Sequence, residues 1–473
     1  MTKVLLIGPT KKITDQKFGI KNLSRLIGPS LGLLSIGTLL KNNGVKVKYF
    51  CPDLYYKNWQ KTLSRAISSG FDFVGIANTA YTIENDLKIA HFIKKLSPKT
   101  TIIAGGYFSQ FFPEVIFKHT DVDIVIRGDG EFPFLEIIKG KPLGKIPGVC
   151  FRNKEKIFIK DPYFLTKREF FKLPPLDFSL YPYKKAWKKW PLFKREIDFY
   201  TSKGCPFSCR FCSVPILNNY TMRFLPLHTI KNMLIQAEKT GARKIFIVDP
   251  NFTANRKHLS NVCNLIIKLK QEGIISKKLY FLAQARIELL EKNILQIMKR
   301  AGFRWVFLGI ENISPYLLKD DINKKCFLNK RQILRQLKLV LKSKIKPYVY
   351  LIPGTPQTTI KELKENLSFA LTLKRIGIKI EVNPFVIPYP ETEYYQIYKN
   401  TPFISWRKIV LWRVAKNKNE SFSLRIPDTL YPKDPKVKKL LTDFTKEANI
   451  LAGKRKVSFA YAFLRTAQKV LCL

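Results

Sequence analysis

The stretch Thr201-Ser-Lys-Gly-Cys-Pro-Phe-Ser-Cys-Arg-Phe-Cys-Ser213 sets Cys205, Cys209 and Cys212 in a C-x3-C-x2-C spacing. Three thiolates this close suit one iron–sulfur cube, a group normally held by four cysteines. No fourth cysteine lies nearby, so one iron keeps an open position where a small molecule can bind and react. Zinc sites commonly pair two C-x2-C units, and a second unit is missing. A disulfide framework belongs to small secreted chains, unlike this one of 473 residues. Cys51, Cys150, Cys263, Cys326 and Cys472 are scattered, mostly among apolar residues, and read as buried small hydrophobes.

On both sides of the trio the chain alternates strand and helix. Ile197-Asp-Phe-Tyr-Thr-Ser runs directly into it. Lys244–Asn251, Leu279–Arg286, Trp305–Glu311, Pro347–Gly354 and Lys379–Val386 read as five further strands, with helix-period segments such as Leu289 to Arg300 and Ile360 to Leu373 between them. Six parallel βα units over 198–395 predict a partial (β/α)6 barrel, with reacting groups on loops at the strands' carboxyl ends. Polar or small residues recur at those ends: Asp249 and Asn251, Gln284 and Arg286, Gly309 and Glu311, Gly354. Charge inside an apolar strand is costly unless paired or facing a wet cavity. A structural reading also fits, with Arg286 and Glu311 bracing the barrel as an ion pair.

Residues 1–140 repeat the alternation. Val4-Leu-Leu-Ile-Gly, Val45–Phe50, Phe71–Ala77, Thr101–Gly106 and Asp123–Gly128 read as five strands, with helices over 28–44 and from about Ile83 to Leu96. This order predicts an α/β, doubly wound Rossmann-like sheet whose ligand sits beyond the strand ends. Small residues cluster there: Gly8, Asn78, Thr79, Gly105, Gly106, Gly128 and Gly130. Glycine lets a flat ligand approach the backbone, or simply ends a strand in a tight turn. Residues 141–197 are broken by Pro142, Pro147, Pro162, Pro174, Pro175 and Pro182, and read as a linker with one hairpin and a solvated Lys/Trp knot at 184–190. Beyond 396 the pattern lapses into a basic helical extension to 473. Its last 20 residues are amphipathic, suited to an acidic lipid surface or to packing over the barrel mouth.

The formal net charge is +49. Lysines are spread over every segment rather than gathered in a stripe, which fits a compositional bias as well as a nucleic-acid or membrane face. No run of about 18 apolar residues occurs, so no membrane span is expected. Scattered cysteines and an oxygen-sensitive cluster point to a reducing cytoplasm, with peripheral contact at a membrane surface as a further expectation.

The cysteine spacing, with Phe211 just before the third, resembles the radical S-adenosylmethionine (SAM) superfamily. The first segment resembles the cobalamin-binding domain that precedes many such barrels, through Pro29-Ser-Leu-Gly-Leu-Leu-Ser-Ile36, Ala104-Gly-Gly106 and Val125-Ile-Arg-Gly-Asp-Gly-Glu131. The resemblance implies a [4Fe-4S] cluster on Cys205, Cys209 and Cys212. It implies SAM on that cluster's open iron, with Phe211, Asp249, Gln284, Arg286, Gly309, Glu311 and Gly354 around it. Gly8, Asn78, Thr79, Gly105, Gly106, Gly128 and Gly130 would face cobalamin. The D-x-H-x-x-G loop that supplies a lower cobalt ligand in mutases is absent, so that face is open or closed by another residue. The implied chemistry is reductive cleavage of SAM to a 5′-deoxyadenosyl radical, then methylation, ring formation or oxidation at an unactivated carbon. Implied partners are a ferredoxin or flavodoxin and a small-molecule substrate. Aromatic content of 13% and the amphipathic tail suggest that this substrate is a lipid or isoprenoid; nucleic acid is not expected. Two alternatives are a tRNA methylthiotransferase, which would need a second three-cysteine site near the start, and a non-catalytic cobalamin sensor, which would not need the trio.

Overall fold

The structure, a computed structural model, describes residues 1–10, 28–55, 58–79, 82–154, 156–190, 194–324, 327–398 and 433–455. Two parallel sheets organise them. The first holds β1 (Lys3–Ile7), β2 (Lys46–Phe50), β3 (Phe73–Asn78), β4 (Thr101–Gly106), β5 (Ile124–Ile126), β6 (Val149–Asn153) and β7 (Lys156–Phe158) in the order β2-β1-β3-β4-β5-β6-β7. Strands β1 to β5 are parallel; β6 and β7 add on antiparallel. The hairpin expected in the linker therefore forms, but it widens the first sheet past residue 140.

Buried apolar runs explain why the first five strands sit inside helical layers. Leu5, Ile7, Val74, Ile76 and Ile102 pack on one face, and Val4, Leu6, Ile103 and Ile126 on the other. The helix Leu31–Asn42 starts at Ser30, whose hydroxyl accepts from Leu33 N, and ends before Gly44 at φ +79°.

After the helix Tyr183–Lys189 the chain enters β8 (Glu196–Phe199), then a ribbon of β9 (Ser202–Lys203) and β10 (Arg223–Phe224) that closes the cysteine loop. The strands β11 (Lys244–Ile247), β12 (Tyr280–Ala285), β13 (Phe303–Glu311), β14 (Lys346–Leu351) and β15 (Lys379–Val382) complete an all-parallel sheet, order β15-β14-β13-β12-β11-β8. This is the expected six-stranded partial barrel. Its outer face is sealed by helices: Ile245, Ile247, Phe281, Ala283, Val306, Leu308 and Val349 are wholly buried. Capping boxes at Asn329/Gln332 and Thr359/Glu362 start two of the covering helices.

The expected solvated knot is corrected. Phe170, Leu173, Leu176, Phe178, Tyr181, Tyr183 and Trp187 are buried in one core with Phe199 and Leu34, so residues 165–190 form an apolar wedge between the sheets. Trp187 Nε1 donates to Glu196 O at 2.9 Å; Lys184, Lys185 and Lys188 stay exposed, while Lys189 turns in to donate to Leu54 O at 2.7 Å. The segments 403–414 and 456–473 lie outside the described residues. No helix among the described residues is long and apolar enough to cross a membrane.

Candidate active site

Local chemistry shapes the cysteine loop before any ligand is considered. Gly204 has φ +90°, and a Cβ there would strike Thr221 O, so only glycine lets the loop leave β9 against β10. Arg210 ties the loop to a π-helical turn at Leu317–Asp321: its N–H donates to Ile322 O at 3.0 Å and its guanidinium to Asp320 O at 2.8 Å. The same guanidinium pairs with Glu393 at 2.8 Å, and Tyr394 N donates back to Arg210 O. Phe211 packs against the small cluster of Val386 and Tyr394, which Ile352 and Tyr398 also join.

The three sulfurs are only partly shielded. Burial pushes the Cys209 thiol up to about 11, aided by Glu311 and opposed by Arg286 and Lys324. Burial pushes Cys212 up to about 12, with Cys209 and Cys205 adding to the rise. Thiols that resist ionisation alone become thiolates on a cationic metal group. Arg286 stands ready for that charge, its guanidinium 3.9 Å from Cys209 Sγ and stacked 3.8 Å over the Phe207 ring. Among the described residues no three His, Cys, Asp or Glu converge on one metal ion. Ligands of a cube stand wider, because each binds a different iron, and the trio fits that donor set.

The bracing ion pair between Arg286 and Glu311 does not form. Arg286 pairs with Glu288 at 2.5 Å, and Glu311 with Lys324 at 2.5 Å. Lys324 also donates to Gly309 O at 2.6 Å. Glu311 sits at φ +61° where the β13–β14 register slips, a strained placement that aims its carboxylate beside Gly309 and toward the loop. Gln284 lies on the partly exposed inner face of β12.

Two residues expected at SAM are engaged within the protein itself. Asp249 is wholly buried, and its oxygens accept from the N–H and hydroxyl groups of both Thr201 and Ser202 at 2.6–3.0 Å. It fixes the strand that leads into the loop. Gly354 is filled by Pro384 O and the Leu441 side chain, a close packing contact rather than an open surface. Sequence reading passed over Lys324 and Glu288, whose pairing needs tertiary proximity.

Opposite the loop, the strand ends of the first sheet enclose a cavity of about 140 Å³. Ser30, Gly75, Gly105, Gly130 and Phe134 line it, with Lys203 reaching in from the barrel side. Gly105 has only Ile126 O near its missing Cβ, at 3.8 Å, so its bare face opens on the cavity. Gly106, Gly128 and Gly130 also border it. Gly8, Asn78 and Thr79 do not. Gly8 makes room for the Tyr49 hydroxyl, Asn78 ties to Ser109 at 2.8 and 3.0 Å, and Thr79 bonds Thr82 at the next helix start. Gly105, Gly106, Gly128 and Gly130 leave backbone bare along this cavity, so these are the residues that would hold a flat cofactor group there.

A buried ion network joins the two halves. Arg223, 1% exposed, donates to Asp129 at 2.5 Å and to Leu165 O at 2.8 Å. Lys203 lies 3.3 Å from Asp129 and 3.6 Å from Glu131. Burial opposes charge on Lys203, but the two carboxylates win and hold its ammonium above the usual lysine range.

Residues 199–370 match the radical SAM superfamily model, and residues 20–138 match the B12 binding domain model. Residues 199–370 are thus a radical SAM domain, a domain class that uses SAM, and the cysteine loop lies within it. The B12 binding domain ahead of it places the chain in the cobalamin-dependent branch. It is 26% identical over 421 residues to an uncharacterized methyltransferase of Pyrococcus horikoshii, covering 86% of each chain. It is 26% identical over 293 residues, 61% of each chain, to a putative methylthiotransferase of Methanocaldococcus jannaschii. The radical SAM methyltransferase TsrM from Kitasatospora setae, solved with tryptophan and a SAM analogue, superposes with a TM-score of 0.76 at 15% identity, covering 96% of this chain and 89% of that one.

Proposed function

We propose that this enzyme is a cobalamin-dependent C-methyltransferase acting on an unactivated carbon of an apolar small molecule, a lipid or isoprenoid. One observation carries the reading: the Asp129–Arg223–Lys203–Glu131 network holds the glycine-lined rim of the first sheet against the root of the cysteine loop. A methyl carrier on one rim and a radical source on the other must share a substrate, and this network fixes their separation. When bound, the cluster passes one electron to SAM and the cobalamin carries the methyl group. Cys205, Cys209 and Cys212 would hold the cluster, while Arg286 offsets thiolate charge at Cys209. Lys324 holds the strained Glu311 in place. Phe211, Tyr394 and Val386 exclude water from the loop's outer side. Gly105 leaves room for the cobalamin tail. A ferredoxin or flavodoxin is the proposed electron donor, since acidic carriers complement a +49 chain.

The methylthiotransferase reading draws on the relative from M. jannaschii. It needs a second cluster site, whereas Cys51 contacts Tyr181 and Cys150 accepts from Lys160 N, each buried separately in the first domain.

Anaerobic reconstitution tests the proposal. About four irons per chain, a corrinoid absorbance band, and methyl label passing from SAM into an extracted lipid are the expected results. Label that stays in SAM, or eight irons without a corrinoid band, would overturn it.

A further inference from the structure

In a closed (β/α) barrel the lumen is packed solid by side chains. Here the burial is inverted. Along β11, β12 and β14 the helix-facing residues are wholly or almost wholly buried, while the inward residues Phe246, Leu282, Tyr348 and Tyr350 stay partly exposed. Phe246, Tyr348 and Tyr350 form an aromatic wall around Phe307, which is itself buried at 7% exposure, and at the wall's β15 edge the Tyr348 hydroxyl donates to Glu381 at 3.2 Å. Ring centroids lie 5.1 Å apart for Phe246–Phe307, 5.2 Å for Phe307–Tyr348 and 5.5 Å for Tyr348–Tyr350. Water-facing apolar surface of this kind marks a ligand site.

The two ends of the wall differ. At the carboxyl end Gly309 aligns with Tyr350, beside Glu311 and the cysteine loop. At the amino end Trp305 is flanked by two exposed cations, Lys346 Nζ at 5.5 Å and Lys379 Nζ at 4.9 Å from its ring. Neither forms an ion pair among the described residues. Four residues of strand separate Lys346 from Tyr350, about 13 Å.

We propose that the lumen binds an amphiphile whose anionic head sits on Lys346 and Lys379. Its apolar body runs about 13 Å along the aromatic wall, toward the cluster. The proposal deepens the methyltransferase reading and rests on it for the reaction. A prenyl phosphate and a fatty carboxylate share this chemistry.

The test is calorimetric titration of the reconstituted holoenzyme with farnesyl phosphate, dodecanoate and farnesol. Both anions are expected to bind more tightly than farnesol, and the tighter of the two names the head group. The K346A/K379A double variant, changed only at exposed positions, should weaken both anions about tenfold and leave farnesol unchanged. L282W, which fills the lumen, should abolish all three. Anions that bind the double variant as well as they bind the native chain, or that fail to bind the native chain, overturn the proposal. Iron content and SAM cleavage are read on the same native preparation. SAM cleavage without amphiphile binding sinks the lumen assignment alone; amphiphile binding without SAM cleavage sinks the radical reading alone.

Discussion

The first sheet's five leading strands and the whole barrel sheet are parallel and flanked by helices, yet their strands are buried differently. In the first sheet β1 and β3 are buried at almost every position, as expected when helices cover both faces. In the barrel β8, β11 and β12 alternate, one residue buried and the next partly exposed. The first sheet therefore carries its ligand site only at its rim. The barrel keeps much of its inner face partly exposed, with Phe307 the buried exception. A parallel strand that alternates is thus a sign of an unfilled interior.

The sharpest break in this comparison is at the barrel's rim. Changing Cys205, Cys209 and Cys212 together to alanine should remove all cluster iron and all SAM cleavage, with the corrinoid band on the first sheet retained. Iron analysis and chromatography of deoxyadenosine check both halves. Next come two truncations in the barrel sheet. Ile247→Ala, on the sealed face, should cost about 2–4 kcal/mol in denaturant unfolding, and Leu282→Ala, on the open face, less than about 1 kcal/mol. Equal costs would mean the lumen is packed. On the first sheet, Gly105→Leu places a side chain in the cavity without a backbone clash. It should weaken corrinoid retention about tenfold or more, roughly 1.4 kcal/mol, and leave iron unchanged.

The smallest effect concerns Asp198 on β8. Burial, with Glu196 beside it, raises its carboxyl to about 8, and Lys244 opposes. A raised carboxyl keeps its proton in the fold while the unfolded chain loses it near the ordinary value. Its contribution is therefore complete in acid and drains away as pH climbs toward 8. Asp198→Asn should gain on the native chain by about 2–4 °C in Tm between about pH 5 and pH 8, then level off. A constant gap across that range would contradict the assignment.

The succession of strands and helices was legible in the sequence, because apolar period is a local property, and so was the closeness of Cys205, Cys209 and Cys212 on one loop. Two helices of the first domain were legible as well: the one expected over 28–44 forms at 31–42 and ends at Asn43-Gly44, and the one expected from Ile83 to Leu96 forms there. What could not be read was which strand-end polar groups are spent on the protein itself. Asp249 looks like a ligand contact until Thr201 and Ser202, 48 and 47 residues away, are seen bonding to it. Arg286 and Glu311 looked like partners, but each has a nearer one on a turn that sequence does not locate. The connector looked solvated because its lysines are consecutive with its buried aromatics, and only folding separates the two.

Arg223 and Lys203 lie in the barrel half of the chain, but their counter-charges lie in the other half. A fragment beginning at residue 194 would strand a nearly inaccessible guanidinium with no anion, a penalty of about 3–5 kcal/mol, at the base of the ribbon that shapes the cysteine loop. The carboxylates that brace the base of the cysteine loop thus come from the amino-terminal half. The two halves therefore share one electrostatic seam, and a cut at residue 194 would leave both sides of it uncompensated.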